Sequence, residues 1–226
     1  MIRTCQGHTK CDYCDSAMAS GSFSIEKWQK LCCFYSSHSH ERDCIDIYGV
    51  KALFEDAGIE ATDPAALVFA YYCGCKTQGT FSIDEFRRGC SALAIDSKDK
   101  LKSVIPELRW KILDPDICRE IYMFTFPYHV ERDEKTLPCR VCCQYWEILL
   151  KPHFPHYDEW IQFIETARPG PISKDTWKLV FEFATKFDQV IEEYDPGGAW
   201  PVQSFVMFSY IESFPEYKAK SEIESL

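Results

Sequence analysis

Two dipeptides, Asp63-Pro64 and Asp114-Pro115, constrain this chain more than any other feature. An aspartate side chain can accept the first open N–H groups of a helix, and a proline suits the first helical position because its missing N–H has no partner there anyway. Behind the first pair stands Ala65-Ala66-Leu67-Val68-Phe69-Ala70-Tyr71-Tyr72, too apolar to show a solvent face, which predicts a helix buried on most sides. Behind the second, Ile117, Ile121 and Phe124 recur at helical spacing. Ser82-Ile83-Asp84-Glu85 is a capping box leading into Phe86, Cys90 and Leu93. Ile25, Trp28, Leu31, Cys32 and Tyr35 mark an earlier helix face, and Ile47, Val50, Leu53, Phe54 and Ala57 another, closed by Gly58. Further helices are predicted at about 98–112, 138–150, 156–166, 173–194 and 202–213. No strand alternation lasts beyond a few residues, so the expected fold is all-α with roughly ten helices.

The charge balance narrows the partners. A net charge of −10 and a pI near 5.1 argue against nucleic acid, which requires a basic stripe, and favour a basic protein surface. No apolar run reaches the length of a membrane span, and Met1-Ile2-Arg3-Thr4-Cys5 carries neither a signal peptide nor a myristoylation glycine. Thirteen cysteines without a secretory signal read as reduced thiols inside the cell, and nucleus and cytoplasm are the expected locations. Residues 1–22 read as a flexible Cys-rich tail and 215–226 as a charged one.

A weak internal repeat suggests two lobes. Gly79-Thr80-Phe81-Ser82-Ile83-Asp84-Glu85-Phe86 and Gly198-Ala199-Trp200-Pro201-Val202-Gln203-Ser204-Phe205 share glycine, an aromatic two later, an aliphatic four later and Phe seven later. In an EF-hand these are the turn glycine, the residue pairing two loops and the start of the exiting helix. Calcium is not expected at either. Counting back from Gly79 leaves Gly74, Lys76 and Gln78 where carboxylates belong, with only Glu85 in place. Counting back from Gly198 gives Glu193, Asp195 and Gly197, but Ser204 replaces the bidentate glutamate.

Thiols and imidazoles give little chemistry. Cys5, His8, Cys11 and Cys14 are four soft ligands within ten residues, a candidate zinc set spaced more tightly than ordinary zinc modules; the other reading is a thiol-rich tail. Cys139, Cys142 and Cys143 lie on a helix whose face is Val141, Cys142, Tyr145, Ile148 and Leu149, so they read as core packing rather than redox groups. Cys90 and Cys118 read the same way. His38, His40 and Cys44, and His153 with His156, are not joined by an acid and a nucleophile, and no phosphate loop or His-Glu-x-x-His helix occurs. A non-catalytic protein without cofactors is expected.

Ile172-Ser173-Lys174-Asp175-Thr176-Trp177, the long helix to Tyr194-Asp195, and Gly198-Ala199-Trp200-Pro201-Val202 resemble the signature of the defective-in-cullin-neddylation family, whose shared region is the potentiating-neddylation domain. Phe81 to Phe86, Lys100-Leu101-Lys102 with Ile105-Pro106, and Tyr122-Met123-Phe124-Thr125-Phe126 follow the family's order, and the resemblance covers about residues 24–210. It implies a domain over 23–214, with an N-lobe at about 23–113 and a C-lobe at about 114–214, built as two EF-hand-like helical lobes without calcium ligands. It also implies a scaffold-type ligase component that holds a cullin C-terminal winged-helix region beside the conjugating enzyme, and meets the ubiquitin-like modifier only indirectly.

By that resemblance the acetylated N-terminal methionine of the conjugating enzyme would enter a pocket formed by Val50, Ala66, Leu67, Ala70, Phe81, Tyr128 and Ile148, with Gln78 and Gly79 at the rim. Several of these, Leu67 and Ile148 above all, read equally as core residues. The cullin-binding patch would contain Asp175, Ala199 and Gln203. Here the sequence departs from the family: Gln203-Ser204-Phe205 follows Val202 directly, two residues shorter than usual and without the second aspartate. Docking could then shift toward Glu192, Glu193 and Asp195. About two dozen residues precede the first helix, too few for the ubiquitin-associated domain that some relatives carry. The alternatives from other classes are a diverged EF-hand-like adaptor for another basic partner, and a metal-sensing EF-hand-like protein.

Overall fold

A computed structural model describes residues 23–41, 43–131, 133–167, 170–193 and 205–213. The first lobe runs α1 (Ile25–Ser36), β1 (Cys44–Ile45), α2 (Ile47–Ala57), α3 (Pro64–Cys73), β2 (Phe81–Ser82), α4 (Ile83–Ala92) and α5 (Lys98–Lys111). The second runs α6 (Pro115–His129), β3 (Thr136–Leu137), α7 (Cys139–Leu149), α8 (Tyr157–Ala167), β4 (Ile172–Ser173), α9 (Lys174–Thr185), α10 (Phe187–Glu193) and α11 (Phe205–Ser213). The fold is all-α, with eleven helices among the described residues and four two-residue strands. The capping signals act as the sequence predicts. Asp63 accepts from Ala65 N–H and Asp114 from Asp116 and Ile117 N–H, while Ser82 and Glu85 complete the reciprocal box.

Each lobe consists of two helix–loop–helix units whose loops meet in a short antiparallel bridge. In the first lobe Ile45 pairs with Phe81 and Cys44 with Ser82; in the second Leu137 pairs with Ile172 and Thr136 with Ser173. The repeat expected from sequence matched Gly79 to Gly198, and the second bridge gives Gly79 a counterpart among the described residues. The segment from Gly198 to Val202 lies outside the described residues, while the described loop that answers Gly79 begins at Gly170. Gly170 has an apolar residue two later (Ile172), the helix cap three later (Ser173) and an aromatic seven later (Trp177), as Gly79 has Phe81, Ser82 and Phe86. An aliphatic residue pairs as well as an aromatic one here, because it needs only to fill the space under the bridge.

The helix predicted over 173–194 is broken. The Thr185 hydroxyl donates back to the Phe181 carbonyl at 2.8 Å, Lys186 leaves the helical region at φ −125°, and α10 restarts at Phe187. The break lets Phe187 turn inward to meet Phe154 and Phe183, with ring centroids 5.3 and 5.2 Å away.

The two lobes join where α3 packs on α6. Tyr71 hydrogen-bonds Glu120, its ring meets Phe124 edge-on, and Phe124 stacks on Tyr128 at 5.0 Å. Within the second lobe, Tyr122 Oη donates to the Trp177 carbonyl at 2.8 Å and accepts from Trp146 Nε1 at 3.0 Å, while Trp177 Nε1 donates back to the Tyr122 carbonyl. All three rings are fully buried. Tyr122→Phe keeps the shape but strands the Trp146 indole N–H away from water at about 1–3 kcal/mol, while the Trp177 carbonyl, inside α9, loses only its second donor. We expect a loss of about 1–2 kcal/mol in urea unfolding with an unchanged slope; a loss below about 0.5 kcal/mol would show that the network adds nothing net.

Candidate functional site

A groove of about 1230 Å³ runs between the lobes. Its first wall depends on Asp46, whose carboxylate caps α2 through the Tyr48 and Gly49 N–H groups and also accepts the His40 and His40-adjacent Glu41 N–H groups. Burial opposes ionisation of Asp46, but these four amides outweigh it and hold the carboxyl below its ordinary range. The same anchor turns Ile47 and Tyr48 outward at the groove mouth, 58% and 53% exposed, with the His40 ring 4.1 Å from Tyr48. Gly79, at φ +74°, brings the β2 loop against Ile47; a Cβ there would stand 3.0 Å from Ile47 Cδ1.

Val50 of α2, Ala66 and Leu67 of α3, and Phe81 form the floor on the N-lobe side. The C-lobe closes it with Tyr128 and His129 from the last turn of α6, and with Gln144, Tyr145, Glu147 and Ile148 from α7. His129 Nδ1 lies 3.1 Å from Tyr145 Oη. Burial holds the His129 imidazole below its ordinary value, against the pull of Glu131, so it is neutral at pH 7. Burial likewise pushes the Tyr145 phenol up to about 12 and Tyr128 higher still. The floor is therefore apolar or neutral, and the charged side chains stand at the exposed or part-exposed edges, Lys51, Glu55, Glu60 and Asp63 on the N-lobe rim and Glu147 on α7.

Eight of the nine residues named from the resemblance line this one groove: Val50, Ala66, Leu67, Gln78, Gly79, Phe81, Tyr128 and Ile148. Ala70 does not. It lies one turn beyond Ala66 on α3 and is packed in the N-lobe core, 2% exposed. Sequence reasoning missed Ile47, Tyr48, His129 and Tyr145. A signal existed for Tyr145, which stands three residues before Ile148 on the same helix face, and for His129, which follows Tyr128. Asp175 is exposed in the first turn of α9, capped by Ser173; Ala199 and Gln203 lie outside the described residues.

The calcium-like loop is closed by its own side chains. Glu85 accepts from the Ser82 N–H at 2.9 Å and the Lys76 N–H at 3.2 Å, so its two oxygens are engaged within the loop. The Arg88 guanidinium donates to the Cys73 carbonyl and lies against Gly74, placing a fixed cation where the first ligand would stand. Among the described residues no three His, Cys, Asp or Glu side chains converge as a metal site; Cys5, His8, Cys11 and Cys14 fall outside them. Cys90, Cys118 and Cys142 are buried as predicted. Cys139 and Cys143 also pack against the core, but as partly buried residues at the outer edge of the α7 face that Cys142 buries.

Comparison with known proteins places this geometry. Residues 100–210 match the family profile described as cullin binding. The protein named Defective in cullin neddylation protein 1 from Yarrowia lipolytica is 30% identical over 181 residues, covering 78% of this chain and 73% of its own length. The chain belongs to the defective-in-cullin-neddylation family. DCN1-like protein 4 of Drosophila melanogaster is 30% identical over 154 residues, and DCN1-like protein 5 of Rattus norvegicus 27% over 203 residues. These alignments cover 68% and 87% of this chain. The chain spans 62% of the fly relative's length and 85% of the rat relative's. The cullin-binding profile covers most of α5 and the described C-lobe, including Asp175, while the N-lobe half of the groove lies ahead of it.

Proposed function

We propose that this protein is a scaffold-type, non-catalytic ligase component that promotes cullin neddylation. The groove receives the N-acetylated N-terminus of the neddylation conjugating enzyme, and the exposed Asp175 at the start of α9 receives the basic winged-helix region at the cullin C-terminus, a role the resemblance also gives to Ala199 and Gln203. Transfer of the ubiquitin-like modifier from the enzyme's thioester to a cullin lysine then gains from proximity and orientation, which needs no cofactor. Acting on cullins would place the protein in the nucleus and cytoplasm.

The observation that carries this reading is the groove itself, apolar at its floor and bounded there by neutral polar groups. A free ammonium buried at its floor would lose hydration without a paired carboxylate, since Glu55, Glu60, Asp63 and Glu147 stand at the outer edges, whereas an acetyl group adds apolar area and an amide that Tyr145 or His129 can satisfy. The difference is at least ~2 kcal/mol, or about 30-fold in affinity. Titrating the purified chain with a conjugating-enzyme N-terminal peptide in acetylated and free-amine forms tests it. We expect the acetylated form to bind in the micromolar range and the free amine at least ~30-fold more weakly; equal affinities would remove the basis of the proposal.

A further inference from the structure

Cys139 and Cys143 stand one turn apart on α7 with their sulfurs 4.0 Å from each other, and both are only partly buried. Cys73 and Cys75 are also neighbours, but both are buried in the N-lobe core and closed to a solution reagent. Two independent features single out Cys139 as the reactive member. It is the first residue of α7, and the preceding Pro138 provides no side-chain cap, so open N–H groups at the helix start favour a thiolate there. The Cys143 thiol hydrogen-bonds to it and holds it below its ordinary value against the effect of burial, while the same bond and then burial push Cys143 up.

We propose that Cys139 and Cys143 form a reversible modification site, an intrahelical disulfide made by exchange with a small disulfide of the glutathione type. The Cys139 thiolate attacks one sulfur of the small disulfide, forming a mixed disulfide and releasing a small thiolate. Cys143 then loses its proton to solvent and attacks the Cys139 sulfur, expelling the second small thiolate. Two electrons pass from the protein pair to the small disulfide, which leaves as two thiols. Cys142, the other cysteine within reach by sequence, is fully buried with its thiol pushed up to about 12, chiefly by burial, and does not compete.

Helix neighbours four apart have Cβ atoms about 5–6 Å apart, whereas a disulfide needs about 3.5–4.5 Å. The first turn of α7 must therefore tighten by about 1–2 Å, which a helix end tolerates and a helix centre does not. The resulting bond is strained and easily reduced, as a regulatory disulfide is. Tyr145 and Ile148 follow on the same helix, so the tightened turn lies beside the groove wall.

The test is to incubate the full chain with glutathione disulfide, block remaining thiols with N-ethylmaleimide, digest, and map the products by mass spectrometry. Cleavage after Arg140 separates the two cysteines, so the bond appears as two joined peptides that dithiothreitol releases. The expected result is a Cys139–Cys143 link. In Cys143→Ser the reaction should stop at glutathione on Cys139, and in Cys139→Ser modification of Cys143 should slow by at least ~10-fold. A Cys139–Cys142 link, stable glutathione on Cys139 of the unaltered chain, or no change at either sulfur while exposed Cys33 reacts, would each overturn the proposal.

Discussion

Ala66→Trp should reduce binding of the acetylated conjugating-enzyme peptide by at least ~100-fold, about 2.7 kcal/mol, while leaving the protein folded. Ala66 lines the groove from α3 and, unlike Ala65 and Leu67 beside it, is not part of the core cluster. An indole there occupies the volume a methionine side chain and an acetyl group would take, and it covers the same apolar floor of Val50, Leu67 and Phe81. The folded state should gain rather than lose apolar contact, so the melting temperature should stay within a few degrees of the parent. Fluorescence anisotropy with a labelled acetylated peptide measures the first quantity and thermal denaturation the second. Undiminished peptide affinity in a folded variant would mean that docking occurs elsewhere on the surface.

The groove was legible from sequence only where the chain resembles its family, and the reason is physical. Floor residues such as Leu67 and Phe81 obey the same apolar periodicity as core residues, and the pattern on α3 does not distinguish Ala66, which faces the groove, from Ala70, which faces the core. What separates them is the position of α7 from the other lobe, a contact that no local signal encodes. Local signals did locate the helix starts, since Asp63, Ser82 and Asp114 act within three residues of themselves. They failed at the second lobe's loops, where Ile172 replaces the aromatic that marked Phe81, and at Lys186, where an inward turn of Phe187 breaks a pattern that reads as one continuous helix. The partial exposure of Cys139 and Cys143 was hidden for a related reason: on the apolar face of α7, position relative to the face's edge is set by the neighbours and not by α7 itself.

The position of α3 itself rests on a close backbone approach, and this gives the largest stability effect expected. Gly89 of α4 lies where a Cβ would overlap the Cys73 sulfur and stand 3.1 Å from both the nitrogen and the Cα of Cys73 at the end of α3. A flexible side-chain tip could move aside, but a helix backbone can retreat only by separating α3 from α4 over their shared core of Phe69, Phe86 and Cys90. Gly89→Ala should therefore destabilise the protein by about 2–3 kcal/mol even though alanine favours the helix by about 1 kcal/mol over glycine. Gly89→Val should cost more, and both should lower the urea midpoint without changing the slope. The cause can be isolated by a second substitution. Cys73→Ala removes the sulfur but leaves the backbone contact, so in the Gly89→Ala background it should recover part of the loss, with a coupling of at least ~1 kcal/mol between the two sites. Strict additivity would instead locate the whole cost in the contact with the Cys73 backbone, which the second substitution leaves in place. Because α3 also carries Ala66 and Leu67, a helix displaced at Cys73 should tilt the groove floor, so weaker peptide binding by folded Gly89→Ala is the functional trace of the same overlap.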